Sequence, residues 1–115
     1  MADNLVIKVK RSWSLLNTDQ SPAGFWVTHP NNIMIGNHVG GSDRYAFWFD
    51  LQEHAMGPSA NLDICPENDR VGQFDNNAGH TMGRYALRIF HTMEPRTYPC
   101  SPMVFDESNP DDPYW

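Results

Sequence analysis

Residues 21–51 read SPAGFWVTHPNNIMIGNHVGGSDRYAFWFDL and contain an internal repeat. The segment FWV at 25–27 returns 22 residues later as FWF at 47–49, with a Pro-Asn-Asn corner, an apolar run and a Gly-Gly-Ser-Asp corner between the two copies. A repeat near 20 residues, with short apolar runs separated by Asn, Gly and Ser corners, is typical of a coiled β architecture. The stretch therefore predicts short strands that pair with the equivalent strands of the next circuit, about 4.8 Å away.

A third copy of the repeat follows later in the chain. Its segments NNAGHT (76–81) and YALRI (85–89) align with NHVGGS (37–42) and YAFWF (45–49). Phe47 and Leu87 are 40 residues apart, which equals one period of 22 plus an insertion of 18. Residues 52–69 break the strand pattern with Gly-Pro-Ser and Cys-Pro, so we predict that they form this insertion as a surface loop.

We predict an all-β fold, a right-handed parallel β-helix of about three circuits of about 22 residues with loop insertions. The coil spans residues 1–100, and residues 101–115 form an extended tail rich in Pro and Asp. A chain of 115 residues makes one domain at most. Because a short coil leaves unpaired backbone groups at both ends, we expect a fragment of a longer solenoid, or subunits that stack on one another.

Two sets of residues are predicted to hold successive circuits together. Asn suits the corners because its amide bonds the backbone and because it tolerates left-handed dihedral angles, and Asn side chains in phase on successive circuits can bond to each other as a ladder. Alternation along a strand places one apolar set in the interior. The residues are Asn32, Asn37 and Asn76 at the corners, and Phe25, Phe47 and Leu87 in the interior.

Three segments of the chain resemble a known family. TDQSPAGFWVTHPNN (18–32), NHVGGSDRYAFWFDL (37–51) and NNAGHTMGRYALRIF (76–90) resemble the β-helix region of the fibrocystin and fibrocystin-L family, which also occurs in the related transmembrane and secreted hyaluronidases. The resemblance runs from about Asn4 to Cys100. It implies an extracellular or cell-surface location and a scaffold role in a cell-surface or ciliary coat. The alternative that it implies is part of a polysaccharide-degrading enzyme similar to the hyaluronidases.

The charge of the chain restricts its partners. With eight Lys and Arg and a formal net charge of −6, the chain is a poor match for nucleic acid or an anionic membrane, and the same balance argues against tight capture of a polyanion such as hyaluronan. The sequence has no apolar run near 18 residues, and its N-terminus lacks the layout of a signal peptide, so we expect a piece of a longer chain. The expected partners are neighbouring circuits of the same chain or stacked subunits, and an extracellular glycan.

Aromatic residues on the outer face of the coil suggest a ligand-binding site. If the Phe residues fill the interior, Trp26 and Trp48 point outward and stack on each other one circuit apart. Sugar rings lay their apolar faces on such flat aromatic rings, and we assign His29 to the same face. The alternative is that residues 52–69 cover both Trp rings.

A weaker pattern indicates a catalytic site. Acid–base cleavage of a glycosidic bond needs two carboxyl groups roughly 5 to 10 Å apart. Asp43 and Asp50 lie at opposite ends of one predicted strand and are candidates for a common groove with Arg44, His38 and His29. The alternative interpretation is that the acidic corners and the histidines are simply solvated.

The cysteines and the metal-binding residue types carry little further information. Cys65 and Cys100 permit one disulfide, and two free thiols are the alternative. No H-x-H or H-E-x-x-H motif occurs, so we predict no metal site and no cofactor. Calcium is the one exception considered, because oxygen ligands cluster in the tail, although their spacing fits no EF-hand loop. They are Asp106, Glu107, Asp111 and Asp112.

Overall fold

The computed structural model describes residues 1–16 and 20–101 of the chain. Within these ranges the chain forms strands that are short and separated by tight corners, as expected where Asn, Gly and Ser interrupt apolar runs. The strands are β1 (Leu5–Val9), β2 (Ala23–Val27), β3 (Ile33–Ile35), β4 (His38–Ser42), β5 (Tyr45–Asp50), β6 (Gln73–Asp75), β7 (Ala78–Met82) and β8 (Leu87–Phe90).

The strands build three parallel sheets that the chain visits in turn. The sheets have the orders β1-β4-β7, β2-β5-β8 and β3-β6, and all of the pairings within them are parallel. Each passage through the sheets adds one circuit on top of the previous one, because equivalent strands pair directly across successive circuits. This arrangement confirms the predicted parallel β-helix.

The register of the central sheet agrees with the repeat read from the sequence. Phe25 pairs with Phe47, and Phe47 pairs with Leu87. The insertion between the second and third circuits lies between β5 and β6 and contains two short 3-10 turns, Gly57–Ser59 and Pro66–Asn68. The predicted 22-residue period and the place of the insertion are therefore both seen in the structure.

The predicted alignment of the corner residues is wrong by one position. In the β4–β7 pairing, His38 lies opposite Ala78, so Asn37 aligns with Asn77 and not with Asn76. Asn76 occupies the corner position equivalent to Gly36, and both have a left-handed backbone, with φ of 53° and 67°. Asn takes that conformation at a lower cost than most residues, which accounts for Asn76 without any ladder contact.

An asparagine ladder does run along the coil, through Asn4, Asn37 and Asn77. The Asn4 Nδ2 donates to Asn37 Oδ1 at 2.9 Å, and the Asn37 Nδ2 donates to Asn77 Oδ1 at 2.9 Å. Asn37 is fully buried, so these bonds satisfy an amide that would otherwise be costly in the interior. Asn32 has a local role, because its Nδ2 donates to the carbonyl of His29 within one corner.

The core lies between the three sheets and is formed by inward-facing residues of successive circuits. Phe25 and Phe47 stack with ring centroids 5.3 Å apart, and Phe74 meets Phe47 edge-on at 5.2 Å. Phe47 is buried, whereas Leu87 in the third circuit is 46% exposed. The buried members of the core are Val27, Met34, Val39, Ala46, Phe47, Phe49 and Leu51.

The insertion is anchored to the segment that follows the last strand. A disulfide joins Cys65 to Cys100, which is the single pairing that two cysteines allow. The buried Asn68 side chain donates to the carbonyl of Glu94 at 3.0 Å, and the Arg96 amide donates to the carbonyl of Asn68 at 2.9 Å. These contacts fix residues 52–69 against the outer surface of the coil.

Two predictions concern chemistry outside these elements. The extended tail after residue 101 and its proposed calcium ligands, Asp106, Glu107, Asp111 and Asp112, lie outside the described residues. Across the described part of the chain, no helix has the length and apolar character needed to cross a membrane. In the same residues, no cluster of three or more His, Cys, Asp or Glu side chains is placed to hold a metal ion.

Candidate functional site

A groove lies between the outer face of the β2–β5 sheet and the insertion, with a volume of about 560 Å³. One wall comes from β2, β5 and the residues that follow them, and the other wall comes from the insertion. Its size falls in the range typical of small-ligand sites. The lining residues are Trp26, Thr28, His29, Asp50, Gln52, His54, Ala55, Met56, Gly57, Ser59, Ile64 and Pro66.

Trp26 forms the aromatic surface of this groove. Its neighbours Phe25 and Val27 face the interior, so strand alternation directs the indole outward. The indole stacks on Trp48 of the next circuit, with ring centroids 6.1 Å apart, and it stays 60% exposed. Residues 52–69 therefore form an opposing wall and leave Trp26 open, which contradicts the expectation that they cover it.

Trp48 is stacked as predicted but is not available to a ligand, since it is only 7% exposed. The Arg88 guanidinium of the third circuit lies over its ring at 5.1 Å, and the ring of Tyr45 lies 5.6 Å away. Arg88 also donates a hydrogen bond to the Tyr45 hydroxyl, which holds the guanidinium in place. The predicted ligand-binding role of Trp48 is thus replaced by a packing role beneath Arg88.

Asp50 is the carboxylate of the groove, and two neighbours fix its orientation. The Trp26 Nε1 donates to Asp50 Oδ2 at 3.1 Å, and the Gln52 Nε2 donates to Asp50 Oδ1 at 3.2 Å. Each carboxylate oxygen can accept two hydrogen bonds, so both oxygens keep one acceptor position for a ligand. The carboxylate is held in place and remains able to bind.

Two histidines add polar groups to the ends of the groove. His29 Nδ1 accepts from the Asn31 amide at 3.2 Å, and His29 Nε2 lies 3.6 Å from Asp69 Oδ2. The second histidine, His54, lies in the insertion, with its Nδ1 atom 3.3 Å from the sulfur of Cys65. Beyond His29 the surface continues into a smaller depression of about 330 Å³ beside the disulfide.

The structure brings together only part of the predicted catalytic set. His29 and Asp50 line the groove, but Asp43 lies at the opposite end of β5, roughly 20 Å away at the rise of an extended strand. There Asp43 accepts a hydrogen bond from the Arg11 amide at 2.8 Å. His38 lies in the β1-β4-β7 sheet, where its ring contacts His80 at 5.0 Å.

Arg44 is also absent from the groove. It lies at the corner between β4 and β5, where its amide donates to Ser42 Oγ and its carbonyl accepts from the Arg84 amide. The predicted common groove for Asp43, Arg44 and His38 is wrong, because a strand separates the two corners and the third residue belongs to another sheet.

The sequence analysis missed three polar residues of this region: Gln52, His54 and Asp69. Gln52 had a usable signal, because alternation after Asp50 places it on the same outward face two residues later. His54 and Asp69 had none, because their positions depend on how the insertion folds back onto the sheet.

These observations define the class of protein as a parallel β-helix with an external groove closed on one side by a disulfide-anchored loop. The sequence model of the CEMIP beta-helix family matches residues 2–87, and the chain belongs to this family. Fibrocystin-L of Homo sapiens and of Mus musculus are each 40% identical over 102 residues, which cover 88% of the chain and 2% of the relative. The resemblance noted from the sequence is thereby confirmed.

The family also contains relatives named as hyaluronidases. The human cell surface hyaluronidase CEMIP2 is 31% identical over 86 residues, which cover 66% of the chain and 6% of that protein. A cell surface hyaluronidase of Danio rerio is 28% identical over 94 residues, covering 73% of the chain and 7% of the relative. The chain thus spans only a small part of each of these relatives. No solved structure matches it.

Proposed function

We propose that the chain is a scaffold segment of an extracellular fibrocystin-like β-helix, part of a cell-surface or ciliary coat. In this role its circuits hold a fixed spacing and continue into further parallel circuits, either of the same polypeptide or of stacked subunits. The proposal is supported by the way that repeat residues are used: the Asn ladder and the Phe column join one circuit to the next.

The observation that carries the proposal is the open interior at the third circuit. Leu87 and Ile89 pair with Phe47 and Phe49, so they face the same interior space. Phe47 and Phe49 are 3% and 5% exposed, whereas Leu87 and Ile89 are 46% and 45% exposed. Half-exposed interior side chains are apolar surface that one further circuit would bury, with a gain of roughly 25 cal/mol per Å².

The strand edges at the same end support this assignment. Among the described residues, β7 and β8 each pair on one side only, with β4 and β5. Their other edges present backbone donors and acceptors in the parallel arrangement that an added circuit requires. Natural proteins usually cover such edges, so an edge combined with an open apolar interior favours stacking.

The test is the assembly state of the chain in solution, measured by sedimentation velocity from micromolar to sub-millimolar concentration. We expect reversible end-to-end association, which the double variant Leu87→Lys/Ile89→Lys abolishes by placing two charges at the open end. The matched control is Leu15→Lys/Leu62→Lys, which adds the same charges at exposed apolar positions elsewhere. A wild-type chain that stays monomeric at every concentration contradicts the proposal.

A polysaccharide-degrading role is the second candidate, favoured by one observation. The groove places the His29–Asp69 pair, with His29 Nε2 and Asp69 Oδ2 at 3.6 Å, in the same region as Asp50. A hydrolase of this type cleaves the bound sugar and creates new reducing ends, whereas a scaffold leaves the sugar intact. The scaffold role is preferred because Asp50 is the one carboxylate among the described lining residues, and glycosidic cleavage needs a facing pair.

A further inference from the structure

We propose that the groove between Trp26 and the insertion binds a neutral oligosaccharide. The proposal adds a binding site to the scaffold role, and it rests on residues that take no part in stacking the circuits. Trp26, Asp50 and Gln52 supply the specific contacts, and the insertion supplies the opposing wall.

The first argument is the aromatic surface. One face of the Trp26 indole rests on Trp48, which orients the ring, and the side chain remains 60% exposed. An exposed Trp of this size is costly to leave in water and is best covered by a flat, partly apolar partner. The C–H face of a pyranose ring is such a partner, while its hydroxyl groups stay available for hydrogen bonds at the ring edge.

The second argument is the carboxylate beside that ring. Asp50 accepts from Trp26 Nε1 and Gln52 Nε2, so its plane is fixed before a ligand arrives. The acceptor positions that remain suit a pair of neighbouring sugar hydroxyl groups, each of which donates to one oxygen. Hydrogen bonds to an ionised acceptor are roughly twice as strong as neutral ones, which offsets the loss of water from both partners.

The third argument is charge, and it selects a neutral sugar. Among the lining residues that the structure describes there is no Lys or Arg, while Asp50 lies in the groove and Asp69 lies against His29. The whole chain carries a formal net charge of −6. A uronate or sulfate group placed here would meet a like charge without a compensating cation, so anionic glycans are disfavoured.

The fourth argument is that the wall opposite Trp26 is preformed. Within the insertion, the Ala55 amide donates to the Ile64 carbonyl at 3.1 Å, and the Glu67 amide donates to the Gln52 carbonyl at 3.2 Å. The disulfide at Cys65 fixes the same segment to residue 100. A groove that is ordered in advance loses little conformational entropy when it binds, so modest contacts are sufficient for a measurable affinity.

The experiment is a titration of the full chain, followed by tryptophan fluorescence and by saturation-transfer NMR. The neutral probes are cellohexaose, chitohexaose, mannohexaose and laminarihexaose, and the anionic probe is a hyaluronan hexasaccharide of the same length. We expect saturable binding of at least one neutral probe, with transfer to its ring C–H protons, and no saturation with the hyaluronan hexasaccharide. The recovered oligosaccharide stays intact by mass spectrometry.

Variants then locate the site. Trp26→Ala and Asp50→Asn are expected to weaken binding of the same probe by roughly tenfold each. The control is Trp13→Ala, since Trp13 is another exposed indole, 81% accessible, that lies outside the groove lining. Circular dichroism checks that each variant keeps its β structure, and Trp26→Phe tests the aromatic surface without the hydrogen bond to Asp50.

Each outcome bears on the proposal. Saturable neutral binding that is lost in Trp26→Ala and retained in Trp13→Ala supports it. A lack of saturation with all four neutral probes overturns it, and so does preferential binding of the hyaluronan hexasaccharide. None of these outcomes alters the sedimentation test of the scaffold role, so the two proposals can fail separately.

Discussion

At the residue scale, Asn37 shows how a single side chain can join three circuits. Its carbonyl oxygen accepts from Asn4, and its amide donates to Asn77 and to the carbonyl of Met1. In a fully buried position, all of these polar groups must be paired inside the protein. A ladder of identical amides satisfies them because each Asn is both donor and acceptor.

The ladder leads to a prediction for two neighbouring asparagines. We expect Asn37→Ala to lower the free energy of unfolding by about 2–3 kcal/mol, because it leaves buried partners on Asn4 and Asn77 unpaired. Asn76→Gly should change it by less than about 1 kcal/mol, because Asn76 is an exposed corner with φ of 53°, where Gly is readily accommodated. Urea unfolding followed by circular dichroism measures both values. Equal losses would contradict the assigned register.

The sequence predicts the apolar columns at this scale better than the polar ones. Phe25, Phe47 and Leu87 are identified correctly because the strand repeat fixes their spacing. The Asn register fails by one residue because NN at 76–77 offers two candidates, and the choice depends on backbone conformation. Asn76 takes the left-handed corner and leaves Asn77 for the ladder, a distinction that residue type alone does not make.

At the scale of elements, the insertion shows what a sequence can and cannot predict. Its location follows from the extra residues between two copies of a repeat, and the structure agrees. Its path does not follow, since it depends on tertiary contacts such as Asn68 with Glu94 and His29 with Asp69. As a result Asp50, His29 and Trp26 were identified as site residues, but the wall that completes the groove was not.

The disulfide gives a prediction for this element. Cys65 and Cys100 are 35 residues apart, and closing a loop of that length restricts the unfolded chain by about 3–4 kcal/mol in the entropic estimate. We therefore expect Cys65→Ser/Cys100→Ser to lower the free energy of unfolding by about 2–4 kcal/mol. Hydrogen exchange should increase at the amides of Ala55 and Glu67, which bond within the insertion, and stay slow at Phe47.

The control for this prediction is the wild-type chain with and without a reducing agent. The reduced wild type should match the double Ser variant in both stability and exchange, since both lack the same covalent link. Unchanged exchange at Ala55 and Glu67 would show that the insertion holds its path without the disulfide, and the covalent link would then have no part in shaping the groove.

At the scale of the whole molecule, burial is uneven along the axis of the coil. The middle circuit has neighbours on both sides, and its strand β5 is the most buried in the molecule, with five successive buried residues. The interior residues of the first and third circuits have a neighbour on one side only, and Phe25, Leu87 and Ile89 are correspondingly less buried. In such a stack, stability depends on the contacts between adjacent circuits.

This gradient leads to a prediction for two residues of one interior column. Phe47→Ala should lower the free energy of unfolding by about 3–5 kcal/mol, because it empties a site enclosed by Phe25 and Phe74. Leu87→Ala should cost only about 1 kcal/mol in the isolated chain, because 46% of Leu87 is already exposed. Urea unfolding at low protein concentration measures both values. If a further circuit covers the open end, the cost of Leu87→Ala should rise toward that of a buried Leu when the chain is assembled, and an equal cost in both states would show that nothing stacks on Leu87.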